Sequence, residues 1–432
     1  MNGMASYNIL ERWVARMLAR FPRAYASIKW LYQRANYLVH RERKVRCELH
    51  ADANLLTPMR WAGVEEQEGE CFFGYYDRTP WFEGMSHFLL HRIAGDAVEI
   101  MVLDRAVNAA RTLAKIRSWN FQQGGQAHWL PSSDRPIAVF NDVSEGKLGC
   151  RLIAHDGSTD KFIPWPVQAL HPNGQEALSI NYRRVYAAQP EYGYATEVSN
   201  FTCDQALERD GIWRVNLETA TSELVIQLST LAEMGEHPFP PETVHTVNHL
   251  AYSPSGDRFV FMHRWINRNG KASRLYVARH DGSDVRLVAE DRTVSHYQWR
   301  DDDHLIVWRH AAENGYRYYL ANVITGEHVP VGEGLLDVYG DGHPSYSPDR
   351  RWVLTDSYPD RARFRHLLLF DVQNDKCIEV GRFFSPWRYD GELRCDLHPR
   401  WSPDGRYVSI DSTHEGKRRN YVVNVEALVG AA

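Results

Sequence analysis

Four histidines recur at one place in a repeated pattern: His249-Leu-Ala-Tyr-Ser-Pro254, His296-Tyr-Gln-Trp-Arg-Asp301, His343-Pro-Ser-Tyr-Ser-Pro348 and His398-Pro-Arg-Trp-Ser-Pro403. The aligned positions step by 47, 47 and 55 residues. Neutral imidazole is the commonest metal ligand in proteins, and three or four converging ring nitrogens suit zinc or a similar divalent ion. His263 follows His249 by 14 residues, across a turn, and is a fifth candidate ligand. Taken singly, each histidine is equally well explained by a hydrogen bond to a neighbouring carbonyl. The shared register is what points to one site.

A second group of chemistry-bearing residues lies between Phe121 and Tyr194. His128 sits two residues inward from a repeat start, facing the channel, and is either a core histidine or a proton-transfer group. Asn181-Tyr182-Arg183-Arg184 ends a strand of the next repeat, and Pro190-Glu-Tyr-Gly-Tyr194 follows it. Arg183 and Arg184 are either surface charges or a clamp on a substrate carboxylate, which a guanidinium fork matches.

These residues need a scaffold that brings distant segments to one face. After each histidine come a polar turn and a strongly apolar strand, such as Arg258–His263 or Tyr407–Ile410, and then two more strand-like stretches. The pattern runs backwards through Gln126-Ala-His128-Trp-Leu-Pro131 and Val167-Gln-Ala-Leu-His-Pro172, and more weakly through Phe72–Asp77. A period of this size signals a propeller or solenoid, and four strands in each of seven units predict an all-β, seven-bladed β-propeller. The last unit has three strands of its own, so a strand from Cys47–Ala62 is expected to close the ring and leave no edge unpaired. The 82-residue step from Pro172 to Pro254 predicts a long insertion, from Tyr192 to about Pro241.

In such a blade the start of the first strand and the end of the second share a face. The starts supply Gln126, His249, His296, His343 and His398. The ends supply Asn141, Asp142, Asn181 to Arg184, His263, Arg264, His310, Asp356 and Asp411. Apolar strands that turn polar at one consistent end predict a functional face.

A net charge of −5 and the lack of a basic patch interleaved with aromatics argue against nucleic acid as a partner. Six cysteines without C-x-x-C spacing suggest neither a zinc finger nor a disulfide framework, and fit a reducing compartment. Residues 1–45 read as an Arg-rich amphipathic arm of two helices divided at Pro22, and residues 46–432 as the propeller. The arm either packs on the propeller or touches a membrane or protein partner. With no apolar leader and no run of about 20 apolar residues, the expectation is a cytoplasmic protein, either free or peripheral to an inner membrane.

Four motifs carry a resemblance: Gln-Gly-x-x-x-x-Trp-Leu-Pro (Gln123–Pro131), the run Ala-Leu-Ser-Ile-Asn-Tyr-x-Arg ending at Arg184, Tyr192-Gly-Tyr194, and His-x-x-x-x-Pro-x-Gly-x-x-x-x-Phe-x-His-Arg-Trp (His249–Trp265). From about Gly69 to Val425 the chain resembles the seven-bladed propeller polysaccharide lyases that include the ulvan lyases, together with relatives encoded near exopolysaccharide assembly genes. The resemblance implies β-elimination on a uronic-acid polysaccharide. His128 matches a catalytic histidine, Arg184 an arginine that neutralises the uronate, and His249 a ligand of a structural metal. His263, or Met262 beside it, stands near a cysteine of that metal site. The family's tyrosine falls at Gln168, with Tyr182 as its substitute.

Removing the C5 proton of a uronate requires that its carboxylate charge be offset, and electrostatic stabilisation of this kind usually dominates. The expected roles are His128 as base, Tyr182 as acid and Arg184 as neutraliser. Gln126, Asn141, Tyr192, Tyr194, Arg264 and Trp265 would bind sugar, and His249, His263, His296, His343 and His398 would hold a divalent metal, zinc first. The competing expectation is a non-catalytic carbohydrate-binding scaffold that works beside membrane-bound glycosyltransferases through its Arg-rich arm. The expected partner in both is an acidic polysaccharide or oligosaccharide.

Overall fold

The computed structural model describes residues 22–42, 44–234, 239–240, 242–268, 270–291, 294–311 and 315–430. Seven antiparallel sheets follow one another along the chain, over residues 71–116, 128–163, 169–227, 244–291, 297–331, 345–384 and 400–424, and form blades one to seven of a β-propeller. Second and third strands are buried on both faces, which is why they read as nearly continuous apolar runs. Phe259 to Met262 and Leu367 to Leu369 are all without exposure.

Ring closure is as expected, with one addition. Asn54–Leu56 pairs with Arg419–Asn424 and supplies the fourth strand of blade seven. Cys47–Leu49, just before it, adds a fifth strand to blade six against Lys376–Phe384. The segment from 47 to 62 therefore covers two edges, removing two rows of unpaired backbone groups. All six cysteines are free.

A helix at Pro22–His40 precedes these strands. Tyr37 packs on Phe384 and edge-on against Trp387, and Arg34 lies 4.3 Å over the Trp387 ring. Ile28, Trp30, Leu31, Leu38 and Val39 are exposed. The first of the two expected helices falls in residues 1–21, outside the described residues. Among those described, no helix is long and apolar enough to cross a membrane.

The insertion lies elsewhere than expected. It runs from 181 to 210, between the second and third strands of blade three, while Gly211–Asn216 and Ser222–Gln227 complete that blade. The Asn181 side chain caps a short helix, Tyr182–Ala188, by accepting from the backbone N–H groups of Arg183 and Arg184. That helix and the turn Pro190–Tyr192 carry Gln189 and Tyr192 inward.

Phe73 to Asp77, the segment after the first strand of blade one, crosses the axis. Its backbone N–H groups at Phe73 and Gly74 donate to Asp411 of blade seven, and the Tyr76 hydroxyl donates to the Tyr297 carbonyl of blade five at 2.7 Å. Gly74 adopts φ +123, where a Cβ would stand 2.9 Å from the Gln123 backbone. Only glycine allows that approach.

Candidate active site

The axial segment gathers histidines from four blades. Tyr75 stacks on His249 at 4.8 Å between ring centres and meets His398 at 4.9 Å. Tyr76 lies 5.1 Å from His343 and 6.0 Å from His296. The chain of contacts continues from His296 to His343 at 4.2 Å and from His343 to His398 at 4.3 Å. Tyr192, from the insertion, stands edge-on to His249 at 4.8 Å. His249 and His398 hold the left-handed backbone region, at φ 53 and φ 43, as does Gln126 at φ 60. Bulky residues are strained there, and such strain collects at functional sites.

The ring nitrogens have distinct surroundings. His343 Nδ1 donates to the Asp356 carboxylate at 2.7 Å, and that carboxylate also accepts the backbone N–H groups of His343 and His398. His296 Nδ1 lies 3.0 Å from Asp341 Oδ1, with Ser295 Oγ at 3.1 Å. Arg78 donates to Gln126, Gln126 donates to Gln123 at 2.9 Å, and Gln123 Nε2 reaches His249 Nδ1 at 3.5 Å. The Nε2 atoms of His249, His343 and His398 are buried and have no hydrogen-bond partner. Such atoms are rare, and a cluster of them calls for a physical cause.

A carboxylate joins them. Asp396 lies between Arg394 at 2.5 Å and Arg365 at 2.6 Å, and those guanidinium groups hold it ionised, well below the ordinary carboxylate range, against its burial. Its Oδ2 is 3.9 Å from His398 Nε2, and one ligand atom each from His343, Asp396 and His398 falls within 4.8 Å of the others. Burial pushes the His249 and His398 imidazoles well below their usual value, so both are neutral near neutral pH. The imidazoles of His343 and His398 and the carboxylate of Asp396 form a donor set for a divalent metal, and Asp356 orients His343 as carboxylates orient metal-binding histidines.

Beside His296 opens a cavity of about 380 Å³ lined by Arg264, Lys271, Ser295, Asp341 and Tyr316 among others. With its side-chain amide turned so that the oxygen faces them, Gln189 accepts from Arg264 Nη1 at 3.0 Å and Lys271 Nζ at 2.5 Å. Lys271 stands at the mouth, where partial burial, reinforced by Arg264, pushes its ammonium down to about 8. Arg264 and Lys271 make one side of the cavity cationic, a surface that attracts anions.

Several expected site residues are placed elsewhere or are already engaged. His263 faces His245, with His245 Nδ1 3.0 Å from its Nε2, and makes no ring contact with the four-histidine cluster. The reason is a bulge between Asn248 and Ala251, which turns His249 towards the axis while Val247 pairs with His263. His128 lines a separate cavity of about 550 Å³, with Arg78, Gln168 and Leu250, towards the far ends of the first strands. Arg184 is closed off from substrate, because its Nε is paired with buried Asp210 at 2.5 Å and its Nη2 donates to the Gln205 carbonyl. Tyr182 is fully buried, donates to the Val167 carbonyl at 2.8 Å, and stacks on buried Tyr194. Asn141 is tied to the Val167 backbone and the Tyr194 hydroxyl. Trp265 packs on Phe239 and under Arg274. Tyr192 and, through Gln123, Gln126 lie against His249, and Arg264 lines the cavity beside His296.

Residues outside the repeat register complete it: Tyr75, Lys271, Asp341, Tyr358, Arg394 and Asp396. Tyr358 lies 6.2 Å from His343 and 6.3 Å from His296. One signal for the acids was available, since Asp341 and Asp396 each precede a repeat histidine by two residues.

No protein-family model and no curated protein matches the chain. Among solved structures, oligogalacturonate lyase from Vibrio parahaemolyticus superposes with a TM-score of 0.61 at 14% identity, over 89% of this chain and 98% of that one. An oligogalacturonate lyase in complex with manganese superposes at 0.60 and 16% identity, over 87% and 97%. The likeness is one of fold: a seven-bladed propeller of the kind found in oligogalacturonate lyases, with an ulvan-lyase kinship not shown.

Proposed function

We propose that this propeller is a lyase that cleaves a 4-linked, uronate-containing oligosaccharide or polysaccharide by β-elimination at the axial mouth beside His296. The observation that carries the reading is the set of unpartnered, buried imidazole nitrogens from separate blades, beside a cationic cavity. His296 is the base: Asp341 accepts from its Nδ1 and leaves a lone pair on Nε2, the arrangement by which carboxylates fix a catalytic imidazole. Arg264 and Lys271 bind the uronate carboxylate and stabilise the charge that develops as C5 loses its proton. Tyr75 and Tyr192 line the approach to His249, whose neutral ring can donate a hydrogen bond to the departing O4, with solvent water supplying the proton that O4 takes.

His343, Asp396 and His398 would hold a divalent metal, and an oligogalacturonate lyase of the same fold is in complex with manganese. When bound, such an ion supplies Lewis acidity towards the carboxylate. His343 and His398 bring nitrogen donors that suit zinc as well as manganese.

The test is incubation with galacturonate oligomers and a panel of other uronate polymers, following absorbance of the new C4–C5 double bond. Accumulating unsaturated ends that disappear in His296→Ala support the reading. A flat trace across the panel, with sugar binding retained, would replace it with the non-catalytic carbohydrate-binding propeller.

A further inference from the structure

The face opposite the histidine cluster carries its own imidazoles. There, the first residue of one blade's second strand is in register with the residue just after the third strand of the next blade. At two seams this pair is apolar, Ile137 with Leu217 and Trp352 with Val425. Between blades one and two it is His87 with His155, their ring centres 4.5 Å apart.

Asp104, at the end of the third strand of blade one, joins this pair: its Oδ2 is 3.3 Å from His87 Nε2. One ligand atom from each of the three residues lies within 4.8 Å of the other two. His87 is 7% exposed, its Nδ1 is engaged by Ser86 Oγ at 2.8 Å, and its Nε2 is buried beside Asp104 without an aligned hydrogen bond. His155 Nδ1 is also buried and unpartnered. Phe82 and Trp129 stand edge-on to the His87 ring and shield it from water.

We propose that His87, Asp104 and His155 form a binding site for a divalent transition metal, zinc or cobalt, that ties blade one to blade two. Two imidazoles and a carboxylate at a protein surface, with water in the fourth position, match the tetrahedral preference of these ions. Tetrahedral donors at about 2.1 Å from a metal are roughly 3.4 Å apart; His87 and Asp104 already have that spacing, and His155 would close in on them.

A comparable group between blades three and four serves as an internal contrast. His171, Glu176 and His280 also lie within 4.8 Å of one another. There, however, His280 Nε2 is bonded to Glu176 at 2.7 Å, and Arg214 stands 3.8 Å from Glu176 and 3.4 Å from His280 Nδ1. A guanidinium already fills the role of the cation.

The experiment is a titration of chelator-treated protein with Co²⁺, read by its visible absorption and by metal content after gel filtration. In the variant His343→Ala/His398→Ala, which removes the axial donors, one equivalent should bind and raise the melting temperature. Adding His155→Gln should abolish that binding, and adding His171→Gln should leave it intact. Absence of bound Co²⁺ in the axial variant, or binding that survives His155→Gln, would overturn the proposal. Should the axial variant fail to fold, His155→Gln in the otherwise unaltered protein must bind one equivalent less than its parent, and an unchanged stoichiometry rejects the site. Neither outcome depends on lyase activity.

Discussion

Asp341→Asn is the most informative single change at the proposed base. Asp341 Oδ1 sits 3.0 Å from His296 Nδ1, and its charge raises the proton affinity of a ring that burial otherwise lowers. Asparagine keeps the shape but can present its N–H₂ to Nδ1, which moves the imidazole proton to Nε2 and removes the lone pair aimed at substrate. A positioned general base contributes about 10²–10⁴-fold in rate. At about 1.36 kcal/mol per tenfold, the tautomer change alone should raise the barrier by about 2.7 kcal/mol or more. Arg264 and Lys271 are untouched, so KM should stay within a few-fold of its parent value while kcat falls at least a hundredfold. The assay is initial-rate double-bond formation on galacturonate oligomers with kcat and KM resolved separately, and a thermal melt confirms folding. A folded variant that keeps its parent's kcat, or loses only in KM, would refute the assignment of His296 as base.

Four further outcomes follow from the same geometry. The kcat/KM profile should fall on the acid side below the ordinary imidazole value, because burial lowers His296, and on the alkaline side near about 8, as Lys271 loses its proton; Lys271→Arg should abolish the alkaline limb alone. Arg184→Ala should leave buried Asp210 uncompensated and lower stability by about 3–5 kcal/mol in denaturant titration, with kcat unchanged in the folded fraction. His398→Ala should lower the metal retained by the axial site after dialysis, measured by elemental analysis, while circular dichroism keeps its β-sheet form. Gly124 has φ +59 and a virtual Cβ 2.3 Å from the His91 ring, so Gly124→Ala should cost about 1–2 kcal/mol for the left-handed backbone and about 1–3 for overpacking, read as a lower melting temperature.

The fold was legible because a propeller writes itself repeatedly into the chain. Any one strand of two residues, such as His128–Trp129 or Ser345–Tyr346, carries little signal. The polar turn, the apolar second strand and the fixed spacing recur often enough to locate all seven blades and the need for a closing strand. The insertion was misplaced because the third and fourth strands of blade three, Gly211–Asn216 and Ser222–Gln227, read as part of a long gap between repeat histidines. The extra strand of blade six, Cys47–Leu49, was hidden because nothing in three residues says which of two neighbouring edges they cover.

The site divides along a different line. Register places an atom, while its bonds are decided by residues that share no register with it. His249, His296, His343 and His398 begin equivalent segments, and the repeat alone carries them to one mouth. Arg184 also lies at the polar end of a second strand, yet Asp210, 26 residues further on, takes its guanidinium, and no local pattern distinguishes an arginine so paired from one left free. Arg264 has the same strand-end placement and a different fate, because Gln189 holds it at the cavity wall beside Lys271. The selection between them is made by the insertion: its helix buries Arg184 and Tyr182, and the turn after it delivers Gln189 and Tyr192 to the axis. Segments outside the repeat thus decide which repeat residues stay chemically free. A substitution in the insertion that releases Gln189 should therefore disturb the anion wall more than one in the blade strands that only present it.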